Sequence, residues 1–226
     1  MDEARAHVIS GNAGSSWFVA DEQTGGRGRH GRTWVSPPGN LYATLALTAP
    51  CDPSVSPELG FVAGLALHRA VAAATGFKRP ELALKWPNDL LLGEAKVAGL
   101  LLEGLHSHGH FAVLIGFGVN IVSAPAGMDY PVRALLPEPG AIKPADLLHE
   151  LSASWVETHK QWQAGFARIR ADWLAVAHGI GTSVRVRPPS GEIRGIMRGI
   201  DERGCLLLDT PEGEVTIDAG DLFFGD

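Results

Sequence analysis

The chain has 226 residues, 45% hydrophobic and 19% charged, enough for one large domain or one domain with a small appendage. A formal net charge of −6 argues against a molecule whose overall field attracts DNA, RNA or an anionic membrane. Two distant cysteines, Cys51 and Cys205, supply neither a disulfide framework nor a thiolate metal site; with no signal sequence and no apolar run of membrane-spanning length, a cytoplasmic location is expected.

In chain order, Trp17-Phe18-Val19-Ala20 and Leu41-Tyr42-Ala43-Thr44-Leu45-Ala46-Leu47 read as strands on either side of a glycine- and arginine-rich loop. Ser56-Pro57-Glu58 opens a helix that runs to Thr75, with proline in the first turn, an acidic residue at the positive end and Gly76 as its stop. Strands follow at residues 82–86, 89–92, 96–103 and 111–119, the second and third joined by a Gly93-Glu94 turn. Residues 123–144 form a proline-rich loop with no predicted element. From 144 to about 177 the spacing of Leu147, Leu148, Leu151, Trp155, Trp162, Phe166, Ile169, Trp173 and Leu174 predicts a helical stretch whose tryptophans belong to the core. Beyond Gly181 the texture changes to short alternating runs at 184–187, 193–197, 205–208 and 214–217. Turns at Ser190-Gly191, Arg203-Gly204 and Glu212-Gly213 separate them, predicting a small antiparallel barrel. The boundary near Gly181 divides the chain into 1–180 and 181–226.

Gly25-Gly26-Arg27-Gly28-Arg29-His30-Gly31-Arg32 places four glycines and three arginines in eight residues, a loop of backbone N–H groups and guanidinium forks suited to a phosphate or carboxylate. Arg-Gly runs also occur in segments that bind nucleic acid by charge alone, but those are long and biased, whereas this loop is short and pinned between two strands. On an acidic protein it is a local positive spot for a small anion. Lys85-Trp86-Pro87-Asn88-Asp89 gathers a cation, a ring, an amide and a carboxylate about a proline-restrained bend; alone it reads equally as a solvated turn. Lys96 heads an apolar strand, where it either reaches to water or points into a pocket beside Gly99. Gly116-Phe117-Gly118-Val119-Asn120 bares backbone on one strand face and ends in an amide able to donate and accept. His106, His108 and His110 alternate, but they fall in a turn between strands, so a solvated turn is favoured over a zinc site and no metal ligand is assigned.

Taken together, Gln23-Thr24 and the loop through Trp34, Gly39-Asn40-Leu41-Tyr42, Lys85 to Asp89, Lys96-Val97-Ala98-Gly99-Leu100-Leu101 and Gly116 to Asn120 resemble the ordered motifs of biotin protein ligases. Residues 199–208 are similar to that family's small SH3-like domain. The resemblance implies an α+β fold: a mixed β-sheet catalytic domain, class II synthetase-like, with helices packed on it, and a C-terminal SH3-like β-barrel. It implies a two-step reaction in which the biotin carboxylate attacks the α-phosphate of ATP, giving biotinyl-5′-AMP and pyrophosphate, and a lysine amine of a biotin carboxyl carrier protein then displaces AMP. It assigns Arg29, Lys96, Lys85 and Asp89 to catalysis, with Asp89 either orienting the incoming amine or capping the bend. Biotin is given Gln23, Gly26, Arg27, Gly28, Arg29, His30, Lys96, Gly99, Gly116 and Gly118. ATP is given Arg29, Trp34, Lys85, Asn88, Lys96 and Asn120, with Mg²⁺ carried by phosphate and water.

His30 and Gly25 stand where arginine and alanine are frequent in the family. The Ser-Thr-Asn triplet that contacts biotin in family members has no match here. Residues 2–10 are expected to be the helix that follows it, which would put the triplet's slot ahead of Met1. No family-type DNA-binding domain precedes the motifs, so repressor activity is not expected. Lipoate or octanoate ligases and transferases of the same fold are the nearest rival reading, a nucleic-acid-binding module the second, and the oligomeric state is left open, with a homodimer as one option. The loop's glycines predict mobility when empty and order when filled.

Overall fold

The computed structural model describes residues 1–48, 50–136, 140–188 and 191–225; Ser190 of the Ser190-Gly191 turn lies outside them. A first helix, α1 (Asp2–Ile9), covers the expected 2–10 span. Six strands, β1 (Ser15–Ala20), β2 (Leu41–Thr48), β3 (Leu82–Lys85), β4 (Asp89–Leu92), β5 (Ala95–Ser107) and β6 (His110–Val119), form one sheet in the order β1-β2-β6-β5-β4-β3. All five neighbouring pairs are antiparallel. The α+β class therefore holds, while the mixed strand directions expected for this sheet are not seen in it: among the described residues parallel pairing enters only at the isolated bridges Leu84↔Ala177 and Lys96↔Val132. Every connection within β3–β6 is a tight turn, and tight turns can join only antiparallel neighbours.

The period-two alternation of the central strands gives the sheet two unlike faces. On one, Leu45, Val113, Ile115, Phe117 and Leu100 pack against α2 (Glu58–Thr75) and α3 (Pro144–Gln163). Helix α2 stops where Gly76 takes φ 77°, as its sequence predicts. The 144–177 stretch is two helices: the chain breaks at Gly165, whose φ of 128° no helix can hold, and α4 (Phe166–Val176) starts anew. On the other face, Ala46, Ala112 and Leu114 meet Ala4 and Val8 of α1. Farther along that face the side chains shrink to Thr44, Gly99, Gly116 and Gly118. Here, beside the first turn of α1, a cavity opens.

The C-terminal sheet comprises β7 (Ser183–Arg187), β8 (Ile193–Ile200), β9 (Leu206–Thr210), β10 (Gly213–Ile217) and β11 (Asp221–Phe224), in the order β10-β9-β8-β7-β11, all antiparallel. The order fits an SH3-like fold, but among the described residues no pairing joins β10 to β11, so the sheet is open and not the closed barrel expected. Its Val184, Val186, Met197, Leu206, Leu208 and Leu222 belong to the same buried cluster as the main sheet. Across the junction the indole of Trp86, 1% exposed, donates Nε1–H to Gly204 O at 3.1 Å.

Candidate active site

The cavity holds about 310 Å³ and lies between the glycine-rich face of β5–β6, the arginine loop, the start of α1 and Asp221 of β11. Its floor is set by register. Gly99 pairs with Gly118 and Leu101 with Gly116 in an unbroken antiparallel ladder. The turn beyond β6 is held by Asn40, itself 2% exposed, whose Oδ1 accepts from the backbone N–H groups of Ile121, Val122 and Ser123 while Nδ2–H donates to Ser123 O. The Gly39-Asn40 motif thus builds the frame of the site without touching the cavity.

The loop is a small hairpin. Trp34 N–H bonds to Gly26 O at 2.9 Å and Gly28 N–H to Arg32 O at 2.8 Å, with Arg27 bridged to Thr33. A Cβ on Gly26 would lie 2.3 Å from Trp34 O, so only glycine closes this turn. His30 caps the hairpin in the left-handed region, φ 56°, with its side chain 53% exposed. The hairpin lays the Trp34 ring over the floor: Cβ atoms added at Gly118 and Gly99 would come within 2.5 Å and 3.1 Å of it. Trp34, expected beside the nucleotide, therefore rests on two of the glycines expected to bare backbone to biotin. The third, Gly116, lies under the Met1 thioether, 3.0 Å from an added Cβ. The indole Nε1–H of Trp34 is buried and, among the described residues, has no partner.

Cations ring the cavity. Lys96 Nζ is 2.6 Å from Asp89 Oδ1, both side chains about 15% exposed, and sits 5.3 Å from the Trp34 ring centre and 5.7 Å from that of Tyr130. Lysine heading the apolar strand thus points inward. Lys85 and Asp89 face each other across the β3–β4 hairpin, and Lys85 opens onto an adjoining recess of about 40 Å³. Burial lowers the Lys85 ammonium pKa, with Asp89 opposing and Lys96 reinforcing that shift. Arg29, largely buried, is likewise lowered by desolvation, against the pull of Asp221 and Asp89. Its Nη1 donates to Asn88 Oδ1 at 3.4 Å and to Gly220 O at 3.1 Å. Asn88 anchors itself through Nδ2–H to Leu100 O. Arg27 pairs with Asp2 on the cavity wall, and the guanidinium hydrogen bond holds the Asp2 carboxyl below its usual range. Gln23 Nε2–H donates to Ser36 Oγ at 3.0 Å from the cavity wall.

Of the sequence-predicted residues, Gln23, Arg27, Gly28, Arg29, Trp34, Asn88, Asp89, Lys96, Gly99, Gly116 and Gly118 line the main cavity, and Lys85 the recess. Gly26, His30 and Asn120 line neither. Asn120 is 2% exposed, with its amide toward Arg133 O and Oδ1 unpartnered among the described residues. Asp221 and Tyr130 were not foreseen. Tyr130 lies in a loop without periodicity, and Asp221 arrives from a strand 189 residues beyond its partner Arg32. His108 Nε2 contacts Ile9 O, and among the described residues no group of three His, Cys, Asp or Glu could hold a metal ion.

A profile described as "Biotin/lipoate A/B protein ligase family" matches residues 9–120, and one described as "Biotin protein ligase C terminal domain" matches residues 179–225. A biotin–[acetyl-CoA-carboxylase] ligase of Paracoccus denitrificans is 41% identical over 96% of this chain and 94% of its own length. One of Mycobacterium tuberculosis is 35% identical over 91% and 77%. Among solved structures, a biotin protein ligase from Aquifex aeolicus in complex with biotin and ATP superposes with a TM-score of 0.81 at 28% identity, covering 92% of this chain and 89% of that one.

Proposed function

This chain belongs to the biotin protein ligase family, and from that premise we propose that it activates biotin with ATP as biotinyl-5′-AMP and transfers the biotinyl group to a lysine of a biotin carboxyl carrier protein. The observation that carries the reading is the convergence of Arg29, Lys96 and Lys85 around a glycine-floored cavity. Residues 1–180 are the catalytic part and 181–226 the C-terminal part.

A carboxylate attacking a phosphate brings two anions together, so fixed cations must offset the repulsion, and they do so most where charge accumulates in the transition state. Arg29 and Lys96 meet the biotin carboxylate and the α-phosphate. A biotin oxygen bonds to the α-phosphorus as the bond to the β-phosphate oxygen breaks, and pyrophosphate departs past Lys85. Buried cations serve this purpose better than exposed ones because little water screens them. Asn88 holds Arg29 from behind. In the second step the carrier's ε-amine attacks the acyl carbon and AMP leaves. The Asp89 carboxylate, tied to Lys96, stands ready to accept a hydrogen bond from that amine. Mg²⁺ bound with ATP would be carried mainly by phosphate and water, with the Asp89 carboxylate as an oxygen donor suited to a hard cation, and would neutralise part of the triphosphate charge. The carrier is that of acetyl-CoA carboxylase or a similar carboxylase. Among the described residues no helix is long and apolar enough to cross a membrane.

Biotin-dependent exchange of pyrophosphate into ATP tests the first step without the carrier. Exchange that requires biotin is the expected result; exchange that requires lipoate or octanoate and ignores biotin overturns the reading.

A further inference from the structure

Two of the loop's three arginines and its histidine converge on one carboxylate of the C-terminal sheet. Arg32 pairs with Asp221 Oδ2, Arg29 Nη1 stands 3.7 Å from Oδ1, and His30 Nε2 is 4.0 Å from the same oxygen. The neighbouring carbonyl of Gly220 accepts from Arg29 at 3.1 Å. Asp221 is 22% exposed and Arg29 21%, so this cluster is only partly screened by water. A half-buried guanidinium needs an anion beside it. In the structure that anion is Asp221, 192 residues after Arg29 in the chain. Resting on the ligase reading above, the adenylate phosphate needs the same guanidinium. Carboxylate and phosphate oxygens compete for one forked set of donors, and two anions held that close repel each other.

We propose that Asp221 is a displaceable counter-anion: it occupies the phosphate's partner while the site is empty, latching the loop to β11, and gives up Arg29 as the nucleotide enters. It is a positioning residue, acting on substrate through Arg29 and Arg32. Around the recess four cations, Arg29, Arg32, Lys85 and Lys96, face the carboxylates of Asp89 and Asp221. Removing one of those two negative charges strengthens the field that an incoming nucleotide anion feels. By linkage the effect is reciprocal: nucleotide binding loosens β11 from the loop, and whatever draws β11 away tightens nucleotide binding.

The test is Asp221→Asn, which keeps the shape and removes the charge. In biotin-dependent ATP–pyrophosphate exchange we expect the KM for ATP to fall by about three- to tenfold, with kcat and the KM for biotin within about twofold of the parent and Asp221→Glu restoring the parent value. Limited proteolysis with thermolysin should cut the loop faster in the empty Asp221→Asn protein, the difference vanishing with biotin and ATP present. A KM for ATP that is unchanged or raised, or empty-state cleavage equal to the parent's, overturns the proposal. Arg32→Gln examines the same tie from the loop side by proteolysis alone, and unchanged cleavage there also overturns it. Absence of any biotin-dependent exchange in the parent protein would defeat the ligase reading, whereas normal parental exchange with an indifferent Asp221→Asn defeats only the latch.

Discussion

The floor and the loop face the same cavity but are ordered by different forces. The floor is two strands of a continuous ladder, Gly99 against Gly118 and Leu101 against Gly116, backed by a buried apolar layer and two helices. The loop is a hairpin with a few backbone bonds of its own, and it is held at its sides by ion pairs to Asp2 and Asp221. A ladder fixes position whether or not a ligand is present. Ion pairs fix it only until a better anion arrives. The contrast teaches that the rigid half of the site is specified by what is missing, side chains at three glycines, and the adjustable half by what is in excess, positive charge.

Substitution on the floor should do the greatest damage. In Gly118→Val a Cβ would meet the Trp34 indole at 2.5 Å, and the ladder cannot retreat to make room. We expect a loss of about 100-fold or more in kcat/KM for biotin, measured by pyrophosphate exchange, with a melting temperature near the parent's because the cavity face carries little of the core. Near-parental kinetics would mean that Trp34 leaves the floor freely and that floor and loop are less distinct than they look.

Asn40→Ala attacks the frame of the floor. It removes the acceptor of three backbone N–H groups in a buried turn, and we expect a stability loss of about 1–3 kcal/mol by denaturant unfolding. A stability unchanged by Asn40→Ala would show that the turn after β6 is held by other means.

Lys85→Arg sharpens the comparison on the side of charge. Burial lowers the Lys85 pKa below its ordinary 10.5, so the ammonium loses its proton, and the site a cation, at a lower pH than a free lysine would. The alkaline limb of the exchange rate should therefore lie below 10.5 in the parent and move upward in Lys85→Arg, whose charge persists. The stability sign is opposite. The folded state binds this proton less tightly than the unfolded one, so Lys85 penalises folding below its depressed pKa, and the penalty fades as pH rises from that value toward 10.5. An alkaline limb that does not shift would exclude Lys85 as the titrating cation. The smallest effect expected is that of Asp221→Asn.

Much of this was legible in the chain itself. The ends of α2 were announced by Ser56-Pro57-Glu58 and Gly76, and the sheet strands by alternating apolar runs, because those signals are local. The cations of the site were legible because arginines among glycines and a lysine heading an apolar strand are locally odd choices. β11 was not legible: Asp221-Leu222-Phe223-Phe224 is too short for alternation to register, and its place is set by pairing with β7. Asp221 therefore stayed hidden, since its partners Arg29 and Arg32 are neighbours only after folding. Asn40 was visible as part of a motif while its task, accepting three N–H groups, was not. Asn120 and Gly26 show the reverse: residues of the expected site that the fold uses outside the cavity lining, Gly26 to close the loop and Asn120 buried just past the end of β6.

Trp86 sits between Lys85 and Pro87 in the run that supplies the site with charge, yet its ring is turned away and hydrogen-bonded to the C-terminal sheet at Gly204. A Cβ on Gly204 would strike the Phe61 ring of α2 at 2.4 Å, so the same turn is also wedged against the core that the two sheets share. The joint between the two sheets thus runs through the bend that presents Lys85 and Asn88. The C-terminal sheet acts as a keystone: heat or denaturant that lifts it away uncovers an indole and releases the bend in a single event, so catalytic competence and the seam between the sheets melt together.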